Sequence, residues 1–336
     1  MKMNMKEWVK QQIQKQRKIP LPVLSFPVIQ LMGVGIKEFI RSSELQAEGM
    51  LRIIQEVDMP AAISLMDLSV EAEAFGAEIK FFDKEIPAVL GKIIHDEIEA
   101  EELRIPLVGT CRTSVNLKAV ELVKEKVTDR PVFAGTIGPF SLAGRLMGVS
   151  DAVVCVRRKP EMVKILLEKA TQYLVDYINA YKKIGADGVL IAEPLAGLLA
   201  PKLAQQYSHI YMKKIIQKVQ SEEFMVIYHN CGGSAAHMVD SVVELGAMGY
   251  HFGNAIDLSE VMPHIPSDRL VMGNVDPAGV VKNGTPETVY ENTLELLEKN
   301  AGYPNYLLST GCDIPPATSW DNIRSFFKAA EDFYKG

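Results

Sequence analysis

A chain of 336 residues with 48% hydrophobic and 23% charged side chains has the profile of an ordinary globular protein, long enough to bury a large core without disulfide staples. Its net charge of −6, with no basic cluster longer than Arg157-Arg158-Lys159, excludes the electrostatic footprint of nucleic-acid binding. Residues 1–18 are polar and charged, no stretch approaches a membrane-spanning length, and the four cysteines are scattered, so a cytoplasmic protein with no membrane segment is expected.

In chain order, residues 1–20 read as an N-terminal helical extension laid across one end, and residues 21–336 as a single catalytic domain. Within that domain come eight short, nearly continuous apolar runs, at 22–26, 61–66, 131–137, 188–192, 225–228, 250–252, 269–272 and 306–308. Runs of this kind fit parallel strands buried on both faces. Between them lie amphipathic segments that read as helices, among them 159–184, 201–219, 235–245, 285–299 and 319–334. Eight β-then-α units predict a (β/α)8 TIM barrel, with a doubly wound open sheet as the alternative. Thr285-Pro286-Glu287 supplies a cap, a proline at the first helical position and an early acid, and Gly185 and Gly246 stand where helices should end. The stretch 66–129 is too long for one crossover, and 77–89 (AEIKFFDKEIPAV) reads as a hairpin or flap outside the barrel.

A TIM barrel builds its active site from the C-terminal ends of its strands. The polar residues that end the apolar runs are Asp67, Thr136, Glu193, His229 with Cys231, Asn254, Asn274 with Asp276, and Cys312. Residues two apart on an extended chain point to the same side, so His229 and Cys231 reach one ion, and barrel closure brings Cys312 within range. Two thiolates and an imidazole are favoured zinc ligands, and three protein ligands leave a fourth position open. Around Zn2+ this set is formally neutral, which suits activation of a thiol; an all-histidine set would be dicationic and suit water. A cysteine at a strand end also serves as plain packing. Cys111, Cys155, His237, His251 and His264 read as structural, and Gly138-Pro139 with Ser141 starts a helix whose N-terminus either caps a turn or attracts an anionic tail.

HNCGG (229–233) and STGCDIPP (309–316) resemble the His-x-Cys…Cys signature of the corrinoid-dependent zinc methyltransferases, of methylcobamide:coenzyme M type, in the uroporphyrinogen decarboxylase superfamily. The resemblance extends over nearly the whole chain, through MDLSVEAEAFGAEIKF (66–81), GTIGPFSLAGRLMG (135–148), GADGVLIAEPLA (185–196), GNVDP (273–277) and NGTPETV (283–289). The family fold it implies is the TIM barrel. True decarboxylases of the superfamily carry arginines after the first strand for the substrate's carboxylates, and the matching stretch here, LSFPVIQLMGVG (24–35), has no arginine or lysine. A tetrapyrrole with many carboxylates needs cationic partners, so the methyltransferase branch is favoured.

The resemblance implies Zn2+ on His229, Cys231 and Cys312, a small coenzyme M-like thiol, and a methylcobamide brought by a separate corrinoid protein, since this chain has no Asp-x-His-x-x-Gly stretch. Glu193 is the candidate proton acceptor or displaceable fourth ligand, Asp67 matches the decarboxylase aspartate, and Asn254, Asn274 and Thr136 are candidates to line the substrate site. DIPP after Cys312, and glutamate rather than aspartate at 193, mark a divergent subgroup whose methyl donor or acceptor can differ. The alternatives are a tetrapyrrole decarboxylase and a non-enzymatic corrinoid-binding protein. The sequence leaves the oligomeric state open.

Overall fold

The computed structural model describes residues 2–335. After β1 (Ala62–Ile63) comes a hairpin of β2 (Glu78–Lys80) and β3 (Ala88–Leu90), then β4 (Val132–Ile137), β5 (Gly188–Ala192), β6 (Met225–Asn230), β7 (Gly249–Phe252), β8 (Leu270–Val275) and β9 (Tyr306–Thr310). β1 and β4 to β9 form one parallel sheet in chain order, while β2 and β3 pair antiparallel on their own, as the reading of 77–89 expected. The order lacks the reversal that defines a doubly wound sheet. Every residue of β4 to β9 is buried, because helices cover the outer face and side chains from the other strands fill the inner one.

The first apolar run, 22–26, is not a laddered strand. It fills the eighth position of the barrel between β9 and β1: Leu21 N donates to Leu308 O at 2.9 Å, Ile314 N donates to Val23 O at 3.0 Å, and Ser25 borders the same small cavity as Ile63 and Leu65. Pro20, Pro22 and Pro27 remove the donors a regular ladder would need. β1 also stops early. The Ser64 hydroxyl, rather than a backbone carbonyl, accepts Gly135 N–H at 2.8 Å, and the ladder ends there. The architecture is a (β/α)8 TIM barrel, with seven laddered strands and closure through this proline-flanked segment.

The helix Met5–Gln14 is capped by Asn4, whose side chain accepts Glu7 N–H at 2.9 Å. It closes the N-terminal end of the barrel: Trp8 packs edge-on against Phe133 near the start of β4, with ring centroids 5.7 Å apart. Thr285 and Ser319 cap the helices Pro286–Asn300 and Trp320–Phe333. Gly185 and Gly246, at φ 97° and 77°, take the left-handed turns that end the helices before β5 and β7. The expected helix 201–219 is continuous but contains a π turn at Gln205–His209, and 235–245 divides into a 3-10 turn, Gly233–Met238, and a short helix, Val239–Val243. Among the described residues no single helix is long and apolar enough to cross a membrane.

Candidate functional site

The end of β6, the turn after it and the turn after β9 bring His229, Cys231 and Cys312 together. Their ligand atoms all lie within 4.8 Å of one another. A tetrahedral zinc site with bonds of about 2.0–2.3 Å separates its donors by roughly 3.3–3.8 Å, so the three need only close slightly on an ion. The close approach depends on two glycines. A Cβ on Gly253 would lie 2.5 Å from Cys231 Cα, and one on Gly311 would lie 2.5 Å from Asn254 N. The hydrogen bond between the thiols, the largest influence on each, pulls Cys231 down to about 7 and pushes Cys312 up to about 12, burial adding to the rise at Cys312. Two neighbouring sulfurs beside an imidazole form a donor set that suits a borderline-soft divalent cation, and zinc fits it.

His229 is held from behind. Its Nδ1 lies 2.7 Å from His251 Nδ1, and His251 Nε2 lies 2.8 Å from Ser309 Oγ. One hydrogen must lie between the two Nδ1 atoms, which leaves His229 Nε2 to face the thiols. Burial, then the neighbouring His229, hold His251 well below the ordinary histidine range, so it stays neutral and passes the constraint from Ser309 to His229. Outer-shell partners of this kind fix ring orientation and ligand basicity. His251→Phe keeps a planar aromatic ring and removes both hydrogen bonds; zinc affinity, measured by chelator competition, should fall about 10- to 100-fold. Unchanged affinity would mean that His229 is oriented without His251.

The other expected residues divide by strand face. The register sets Ala192 beside His229, so Glu193, one residue on, points to the opposite, helix-covered side. Its carboxylate accepts Phe140 N–H at 2.9 Å, Ser141 N–H at 2.6 Å and the Ser141 hydroxyl. Burial pushes Glu193 up to about 7 against those donors. The helix Pro139–Met147 does start at Gly138-Pro139, but its N-terminus is filled by this carboxylate rather than left open for an external anion. Thr136 faces the same outer side and donates to Glu71 Oε1 at 2.6 Å. Burial pushes Glu71 up to about 7, and its Oε2 has no partner among the described residues.

Asp67 lies buried at the end of the β1 segment, with one oxygen on the Ser69 hydroxyl (2.6 Å) and amide (2.9 Å) and the other on the Arg112 guanidinium. Asn274 donates to Gly253 O at 2.8 Å and Ile256 O at 2.6 Å, tying down the loop after β7. Asn254 in that loop is exposed and packs against Gly311, the residue before Cys312. Asp276 caps the turn after β8 through Ala278 N–H at 2.9 Å and Gly279 N–H at 2.8 Å. Sequence reasoning missed Ser309 and the orienting part of His251, which only strand register reveals. It also missed Asp313, directly after Cys312, which takes the Ser25 hydroxyl at 3.0 and 3.1 Å and which burial holds well above the usual carboxylate range.

Comparison with known proteins places the family and the fold. A methylcobamide:CoM methyltransferase (MtbA) of Methanosarcina acetivorans is 28% identical over 272 residues, 80% of this chain and 78% of that protein. A uroporphyrinogen decarboxylase of Geotalea uraniireducens is also 28% identical, over 294 residues, 85% of this chain and 84% of that protein. A solved structure described as a methyltransferase from Methanosarcina mazei superposes with a TM-score of 0.87 over 99% of both chains at 23% identity, which shows the shared fold. The curated relatives are thus enzymes of two kinds, methyltransferases and decarboxylases. The uroporphyrinogen decarboxylase (URO-D) family model matches residues 25–333, and the chain belongs to that family.

Proposed function

We propose that this chain is a zinc-dependent methyltransferase that moves a methyl group between a methylated corrinoid, carried by a separate protein, and a small coenzyme M-like thiol. The convergence of His229, Cys231 and Cys312 carries the reading. When bound there, zinc supplies a Lewis acid that holds a substrate thiol as its thiolate near neutral pH. In the transfer the sulfur lone pair forms the S–CH3 bond as the Co–CH3 bond breaks, its electron pair staying on cobalt. His229 offers Nε2 because His251 and Ser309 hold its other nitrogen, and the two cysteines offer sulfur from opposite turns of the mouth. Asn274 and Gly253 fix the loop beside Cys231, so the donors are presented in one arrangement. Glu193 positions: it locks the end of β5 to the helix Pro139–Met147. The methyltransferase relatives support the reading, as does the lack of arginine and lysine in 24–35. The decarboxylase relatives and the buried Asp67 favour a second reading, a tetrapyrrole decarboxylase.

Elemental analysis of the purified protein, followed by spectrophotometric demethylation of methylcobalamin with a thiol series, tests the proposal. About one zinc per chain and thiol-dependent loss of the methylcobalamin spectrum are expected. No zinc after reconstitution under reducing conditions would sink the methyltransferase reading and leave the decarboxylase reading in its place.

A further inference from the structure

The Arg157-Arg158-Lys159 cluster, too short for a nucleic-acid footprint, borders an apolar groove. Gly148 turns the chain, so that the helix Val149–Arg158 leaves the buried helix Pro139–Met147 at 102°. It buries Ala152 and Val156 and presents Val154, 45% exposed, with Arg157 and Arg158 outward. The segment after β5 lines the same groove, of about 370 Å³, with Leu198, 56% exposed, and Leu203. Leu198 follows Gly197, which packs so closely on Gly232, the residue after Cys231, that a Cβ on it would lie 2.5 Å from Gly232 Cα. The groove therefore opens beside the barrel mouth. Contiguous exposed apolar surface with a charged rim is the usual mark of an interaction site.

A surface of the opposite sign adjoins it. The helix Glu97–Glu102 carries four glutamates and no basic residue, with Asp96 as its cap and Ile98 66% exposed. Lys159 Nζ donates to His95 O at 2.7 Å, so this helix begins where the arginines end. Lys169 Nζ donates to Ala100 O at 2.8 Å and Leu103 O at 2.6 Å, which fixes the helix in place. Of its glutamate side chains only that of Glu99 has a partner, His95 at 2.9 Å. Glu97, Glu101 and Glu102, like Arg157 and Arg158, form no ion pair among the described residues. The two sets of charges do not meet within one chain.

We propose that this face is an isologous interface with a second copy of the chain, in which the acidic helix of each copy lies on the basic-rimmed groove of the other. Charge complementarity selects that occupant. The groove offers apolar surface beside two unpaired guanidiniums, and the helix offers an exposed isoleucine beside unpaired glutamates. Around a two-fold axis every such contact occurs twice. Adjoining patches of opposite sign are what a self-complementary surface needs; a face of one sign would repel its copy. The acidic helix is already tied down, so little ordering entropy opposes docking. The proposal goes beyond the methyltransferase reading and does not rest on it.

Sedimentation velocity on the full chain tests it, over about 1–100 μM protein and at about 50 and 500 mM NaCl. A concentration-dependent dimer is expected, weakened by salt because exposed charge pairs are screened. Two charge-reversed variants, Arg157→Glu/Arg158→Glu and Glu97→Arg/Glu101→Arg, alter exposed side chains outside the metal cluster, and their thermal melts should match the parent. Each variant by itself sets like charges against like, and its dimer dissociation constant should rise about 100-fold or more. Mixed in equal amounts the two should dimerise again, because each then supplies the charge that the other lacks. A parent that stays monomeric over the whole range, a charge-reversed variant that dimerises like the parent, or a mixture that remains monomeric would overturn the proposal. The first of these would leave the groove to a partner of another kind.

Discussion

Replacing Cys312 with alanine should strip the protein of zinc while leaving it folded. Cys312 provides one of three donor atoms that lie within 4.8 Å of one another. Without it a divalent ion keeps one sulfur and one imidazole. The resulting loss of affinity should exceed the about 10- to 100-fold that outer partners contribute, enough to lose the metal during purification against a mild chelator. The fold should survive, because the side chain sits in a turn after β9 rather than in a packed layer and is itself partly exposed. The neighbouring backbone also has its own ties: Gly311 N donates to Val275 O at 2.7 Å, and Thr310 Oγ1 donates to Cys312 O at 2.8 Å. Elemental analysis and thermal melts of Cys312→Ala and Cys231→Ala, made side by side, are the measurement. Zinc lost in both with melting temperatures close to the parent supports a catalytic site with an open position. Collapse of the fold in both would make the metal a structural staple, and zinc retained in both would place the ion elsewhere.

How far the sequence carried depended on what kind of information each feature needs. The starts of β4 to β9 were readable to within a residue, because strands buried on both faces write themselves as continuous apolar runs, while the polar ends of β6, β8 and β9 extend two or three residues past those runs. The run 22–26 misled because its composition is strand-like while its prolines, visible in the sequence, forbid a ladder. The cluster of His229, Cys231 and Cys312 was legible because His-x-Cys parity is local and the mouth rule for TIM barrels is general. Glu193 and Thr136 were assigned to the mouth because each ends an apolar run. Which side they face depends on their register with β6 and on the alternation of side chains, and no single chain segment states that register. His251 looked like an ordinary core histidine for the same reason: its meaning comes from lying directly beside His229 on the next strand. Arg112 sits in the long stretch between β1 and β4, where neither periodicity nor spacing marks it.

Arg112 is where a single substitution should cost the most stability. Its guanidinium is buried and spans Asp67, whose side chain is 1% exposed, and Glu73, at 20%. Removing one partner of a buried ion pair leaves an uncompensated charge and typically costs about 3–5 kcal/mol, whereas an exposed pair would cost at most about 1 kcal/mol. Arg112→Met keeps the stem that packs near Phe81 and deletes the charge, so the loss reads the electrostatics rather than a cavity. Urea unfolding at pH 7.5 should show that deficit, and Asp67→Asn added to Arg112→Met should recover part of it by removing the stranded charge. A variant as stable as the parent at pH 7.5, or a double variant no better than the single, would mean that Asp67 is solvated through the mouth and that Arg112 does not hold it in place.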